Sequence, residues 1–318
     1  MSAEPAAAPT NSSLPTEPYM DFQAMMIPGF CLEILGTVFY AAVLHVVRKI
    51  IKTDWQCAPF YRIFYYIGIA DVLHCICLFW MTFQKYVIHG DILGYVTRMA
   101  SIGTCVLYLL NIAGGAIMAV NRYFATFITF HNSFSKRNIK LILSLSTVGA
   151  AVCSIPSMVC HRVWSWDGSA WKYSTEPAYM GIIQRYIIIA WLIIFLTITY
   201  VYIFMTSFRI REFPRNERYH KNDHTLLYFI IIHSFFQFWM LMYELFEAFT
   251  ITWGIIIFMH EWFFVVFYML TVSNAIFIFL FTPRVRRDLS NFMCQVMEIS
   301  IRNGTSNTIP VLNVSAKY

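Results

Sequence analysis

Long apolar blocks separated by short polar connectors dominate this chain. Apolar runs occupy roughly 25–47, 59–83, 95–120, 139–160, 181–208, 225–250 and 255–281. Each exceeds the ~17 residues that cross a ~30 Å hydrocarbon layer at ~1.5 Å per residue. The pattern predicts an all-α membrane protein, a seven-transmembrane helix bundle. Its weakest boundary is the turn Thr250-Ile251-Thr252-Trp253-Gly254, because fusing the last two runs would leave six spans.

Composition agrees. The 318 residues are 58% hydrophobic and only 13% charged, with a mean hydropathy of +0.58. Soluble domains carry roughly 25% charged residues and cannot hide so much apolar surface in one core. The net charge of +6 does not imply nucleic acid, since the basic residues sit between apolar runs and no nucleic-acid motif accompanies them. The expected surroundings are a lipid bilayer.

The basic residues also orient the bundle. Arg48, Lys49 and Lys52 follow the first run; Arg122, Lys136, Arg137 and Lys140 follow the third. Arg209, Arg211, Arg215, Arg218 and Lys221 follow the fifth, and Arg284, Arg286, Arg287, Arg302 and Lys317 the seventh. The other side offers Lys85, Arg162 and Lys172 in connectors, with Arg98 and Arg185 at helix ends. Positive-inside bias places the N-terminus outside and the C-terminus in the cytoplasm of a multi-pass plasma-membrane protein. Residues 1–24, rich in Pro, Ala, Ser and Thr and without Lys or Arg, read as a disordered extracellular tail with no signal peptide. Residues 25–283 form the bundle, and 284–318 a cytoplasmic tail that opens with a short amphipathic helix over Arg284 to Met293. Asn11 in Asn11-Ser12-Ser13 is then a glycosylation acceptor, whereas Asn303 and Asn313 stay unmodified.

With that topology, Asn121-Arg122-Tyr123 lies at the cytoplasmic end of span three and resembles the Asp/Glu-Arg-Tyr triplet of G-protein-coupled receptors. Gly68-Ile69-Ala70-Asp71 is similar to their span-two pattern ending in Asp, and Asn274 falls where they carry Asn-Pro-x-x-Tyr. The departures are specific. The triplet's acid is Asn121, the Pro and Tyr after Asn274 are Ala275 and Ile278, Trp239 lacks a following proline, and spans three and five lack an outer cysteine and a proline. Together with Phe60-Tyr61-Arg62 and Thr282-Pro283-Arg284-Val285-Arg286, they make the chain resemble the divergent nematode chemosensory serpentine receptors, in particular Srv-type members of the Srg superfamily. The resemblance implies a non-enzymatic chemoreceptor of sensory-neuron cilia. It would bind an extracellular small molecule and signal through a heterotrimeric G protein, with Asn121, Arg122 and Tyr123 in coupling. Without an acid beside it Arg122 is held more weakly at rest, so ligand-independent activity is expected.

Helical rise places three polar residues at one depth: Asp71 about 18 Å from the cytoplasmic end, Asn111 about 16 Å and Asn274 about 13 Å. They read either as a hydrated switch network able to hold Na⁺ near Asp71 or, equally well, as a packing cluster; no other cofactor is implied. His74 and His233 lie near that depth and read as buried polar packing, and His220 and His224 as a solvated loop pair. At the outer ends Arg98, Arg185, Glu244, Glu247 and Glu261 fall within about 30–36 Å of the inner face and are candidates for a ligand vestibule, with interfacial snorkelling as the plainer account. Trp164, Trp166 and Trp171 flank Asp167-Gly168 in a hairpin signal, either a lid over the vestibule or an interface belt. The eight cysteines imply no disulfide framework, although Cys105 and Cys160 are placed to permit a pairing. Two rival functions remain. A seven-span hydrolase with an intramembrane metal needs three convergent ligands, for which Asp71, His74 and His233 form no pattern. A ligand-gated channel of the insect olfactory type has the opposite orientation.

Overall fold

The computed structural model describes residues 26–53, 58–83, 91–125, 136–166, 171–212, 217–249 and 263–306. Among these lie α1 (Met26–Thr53), α2 (Ala58–Phe83), α3 (Asp91–Ala125), α4 (Lys136–Cys153), α5 (Ile155–Val159), β1 (His161–Trp166), β2 (Trp171–Glu176), α6 (Ala178–Glu212), α7 (Glu217–Ala248), α8 (Phe263–Phe281) and α9 (Pro283–Ser306). Among the described residues five helices are long and apolar enough to cross a membrane, over Gly29–Thr53, Pro59–Phe83, Tyr95–Ala125, Ala178–Arg211 and Leu226–Ala248. Taking α8 and α9 as one bent span makes six, with a 100° turn between them. The 18-residue α4 falls short because Lys136, Arg137 and Lys140 crowd its start.

α3 is the axis of the bundle. Its apolar window is 78% buried, against 28% for α6, whose Ile182, Ile193, Ile194 and Phe204 are exposed apolar side chains suited to lipid. α2 packs against α1, α3 and α8, while α3 also meets α4, α6 and α7. Glycines let the central helices approach closely. A Cβ on Gly68 would sit 2.5 Å from Leu44 Cδ2 of α1, and one on Gly114 would sit 2.7 Å from Ile67 Cδ1 of α2.

The expected fourth run, 139–160, is a broken helix. Pro156 has no N–H to give, and the helix is interrupted at Ser154, whose Oγ donates to Ala150 O at 2.8 Å. Gln184 of α6 takes up the backbone groups this break releases: Ser157 N donates to its Oε1 at 3.2 Å, and its Nε2 donates to Cys153 O at 3.3 Å. Other helices outrun their apolar blocks, because backbone hydrogen bonding continues after the lipid-compatible sequence ends. α3 starts at Asp91 and α7 at Glu217, so His220 and His224 lie on a helix and not in a loop. α9 extends to Ser306, well beyond the short helix expected to end at Met293.

After α5, β1 and β2 pair antiparallel, with Trp164 opposite Tyr173 and Trp166 opposite Trp171. β1 touches α3 and β2 touches α6. The Asp167-Gly168 turn, the 1–24 tail with Asn11, and Glu261 lie outside the described residues.

Candidate functional site

Asp71, on the buried face of α2, is fully inaccessible. Tyr40 Oη of α1 donates to its Oδ2 at 2.5 Å, Asn274 Nδ2 of α8 donates to the same oxygen at 2.9 Å, and Asn111 Nδ2 of α3 donates to Oδ1 at 2.7 Å. The three residues placed at one depth by helical rise thus meet directly, and Tyr40 joins a fourth helix to them. All three groups facing the carboxylate are donors, which complements an acceptor-only side chain.

The chain of contacts continues into α7. Since Asn274 gives its amide hydrogen to Asp71, its Oδ1 is an acceptor, and His233 Nδ1 must donate to it at 2.6 Å. His233 Nε2 is then the acceptor and takes a hydrogen from Gln237 Nε2 at 2.8 Å. Each link runs toward Asp71, an order in which hydrogen bonds polarise one another. α3 makes room for these side chains at Gly115, where a Cβ would lie 3.0 Å from both His233 Nε2 and Gln237 Nε2.

His74 does not pair with Asp71. Its Nδ1 meets Thr271 Oγ1 at 3.3 Å, and its ring stacks on Tyr108 at 6.4 Å between centroids. Among the described residues no three His, Cys, Asp or Glu side chains gather as metal ligands would. Beside Asn111, His233 and Gln237 lies a half-enclosed cavity of about 30 Å³, which Tyr108, Phe236 and Phe267 also line.

At the inner end of α3, Arg122 is buried. Its Nη2 donates to Asn121 Oδ1 at 3.2 Å, and its guanidinium lies 4.8 Å from the centre of the Phe60 ring on α2. Tyr123 sets its ring edge-on to Tyr202 of α6 at 5.4 Å. Below, α9 folds back toward α1: Arg284 Nη2 donates to Thr53 Oγ1 at 2.7 Å, and Lys49 Nζ lies 5.6 Å from the Phe292 ring.

The outer residues divide. Arg185 of α6 bridges Glu244 at 3.6 Å and Glu247 at 3.5 Å, both on α7. Arg98 donates through Nη2 to Met158 O at 2.8 Å, tying α3 to the end of α5. Trp164, Trp166 and Trp171 are strand residues of the hairpin. Cys105 and Cys160 are both free: Ser154 Oγ donates to Cys105 Sγ at 3.4 Å, and Cys160 Sγ donates to Ser157 O at 3.7 Å.

Sequence reasoning missed four roles in this site. Tyr40 and Tyr108 are aromatics among many others, and Phe60 is noted only within Phe60-Tyr61-Arg62, not as a partner of Arg122. Gln237 had one available signal, a polar side chain four residues after His233 and so on the same helical face.

Long apolar helices around a buried polar centre, with an arginine closing the central helix, define a multi-pass membrane protein of the serpentine kind. Residues 30–281 match the family model described as serpentine type 7TM GPCR chemoreceptor Srx, and the chain belongs to that family. The family is a receptor class and not an enzyme class. The match speaks to the chemoreceptor class and leaves the Srv-type placement within the Srg superfamily aside. Comparison with curated proteins gives no match.

Proposed function

We propose that this chain is a seven-span chemosensory receptor of the plasma membrane, with its N-terminus outside, that binds an extracellular small molecule and activates a heterotrimeric G protein. The seven crossings are α1, α2, α3, the broken pair α4–α5, α6, α7 and α8; α9, turned 100° away, lies along the cytoplasmic surface. One observation carries the coupling role: Arg122, buried at the end of the central helix, lies over the Phe60 ring of α2, a contact between helices that a moving helix can release. A ligand that binds one helix arrangement more tightly shifts the population toward it and frees Arg122, Tyr123 and the adjoining basic connectors for the G protein. Asp71, Asn111 and Asn274 act as a switch network in which the carboxylate faces three donors, and Na⁺ near Asp71 is the cofactor it would hold if it takes one.

The test is nucleotide exchange by a G protein in membranes containing the receptor. Arg122→Ala, expressed to the same level, should abolish exchange driven by any agonist found in a ligand screen. Full exchange in that variant would remove Arg122 from coupling.

A further inference from the structure

Two polar atoms beside the mid-bundle cavity are buried with no hydrogen-bond partner: Tyr108 Oη and Gln237 Oε1. Tyr108 is 8% exposed and Gln237 5%. Both sit on well-packed helices, so neither can turn to water as a surface group would. The orphaned acceptor follows from the hydrogen-bond order described above. Asp71 fixes the Asn274 amide, Asn274 fixes the His233 tautomer, and His233 takes the Gln237 amide hydrogen, which leaves Oε1 facing away from the chain. That oxygen needs a donor. Tyr108 Oη can give a hydrogen to the same incoming group.

We propose that this cavity is the polar subsite for the hydroxyl head of a small, uncharged, largely apolar ligand, an alcohol in chemical class. One O–H meets both requirements, donating to Gln237 Oε1 while accepting from Tyr108 Oη. At about 30 Å³ the cavity takes the hydroxyl head and little more, so the carbon body leaves through its open side against Phe236, Met240, Phe267 and Leu270 of α7 and α8. A water molecule could fill the head position but gains nothing from those walls. A ketone presents no donor and leaves Gln237 Oε1 bare, and a charged head would be costly at this depth. Once seated, the hydroxyl heads a run of donors through Gln237, His233 and Asn274 to Asp71, which links the subsite to the helices that would rearrange.

This inference deepens the receptor reading and rests on it for biological meaning, but its test needs no G protein. The purified full chain in lipid nanodiscs is titrated with hexan-1-ol and with hexan-2-one, and saturable shifts in thermal midpoint are read. The alcohol should bind about tenfold more tightly than the ketone. Tyr108→Phe removes a hydroxyl that has no partner, so the unliganded midpoint should not fall, while alcohol affinity should drop about three- to tenfold. Equal action of alcohol and ketone on the unmodified chain would mean partition into lipid and overturn the proposal, as would alcohol binding unchanged in Tyr108→Phe, which would mean hydration only. Arg122-dependent G-protein activation without alcohol preference would sink this inference and leave the receptor reading intact. Alcohol binding without coupling would do the reverse.

Discussion

Arg122 sits between two neighbours that hold it in different ways. Asn121 Oδ1 offers a neutral acceptor, and the buried Phe60 ring offers its π face in a site shielded from water. A desolvated cation–π contact is worth about 0.5–2 kcal/mol, of the same order as a hydrogen bond from a charged donor at about 1.5–3 kcal/mol. The Phe60 ring therefore does part of the holding that an acid before the arginine would otherwise do. Phe60→Leu keeps an apolar side chain there but loses the ring, and ligand-independent nucleotide exchange should rise roughly two- to thirtyfold. Asn121→Asp should move it the other way by restoring a charged partner. Basal exchange unchanged in Phe60→Leu, at matched surface expression, would reduce the ring to a packing element. Chemistry of this kind is hard to read along the chain. Arg122 stands out because a cation at the end of an apolar run is rare, whereas Phe60 is one of 29 phenylalanines and depends on α2 and α3 meeting in one particular rotation.

At the scale of elements, the close approach of α2 and α3 rests on a missing side chain. The Ile67 side chain occupies the place a Cβ on Gly114 would take, with atoms at 2.7, 2.7 and 3.1 Å. Ile67 is buried and β-branched, so it has little freedom to yield. Gly114→Val should therefore destabilise the purified protein by about 1–3 kcal/mol through overpacking, read as a lower thermal midpoint. Gly29→Val on α1, where nothing lies within 4 Å of the added Cβ, should show no loss. Equal midpoints for the two variants would mean that α2 and α3 are not packed as described. The helices themselves were legible, because a segment facing lipid or protein core must be apolar over its whole crossing. Their ends were not: the polar turns at Asp91 and Glu217 remain helical where hydropathy has stopped reporting. Depth was legible too, since rise per residue is constant, and it put Asp71, Asn111 and Asn274 together. Rotation about each helix axis was not, and so Arg98 was grouped with Arg185 although it bonds Met158 O instead.

For the whole molecule, the charge on the two ends argues which of them faces the cytoplasm. One end gathers Lys52 in the last turn of α1, Arg122 in that of α3, Arg209 and Arg211 in that of α6, and Arg284 where α9 meets α1. The other has Arg185 spent on two glutamates and Arg98 on a backbone carbonyl. Moving the first end across a membrane would carry its whole basic set with it, which is why such ends stay on the side of synthesis. The sequon at Asn11 precedes α1 and those at Asn303 and Asn313 lie at or beyond the end of α9, so an odd number of crossings puts them on opposite sides. In a eukaryotic host, removal of N-linked glycan should shift the electrophoretic mobility of the full chain, and Asn11→Gln should abolish that shift. Asn303→Gln should leave it intact. A glycan lost with Asn303→Gln or Asn313→Gln but kept with Asn11→Gln would invert the bundle. Arg122 would then face the outside, and the channel-like orientation would stand in place of the receptor.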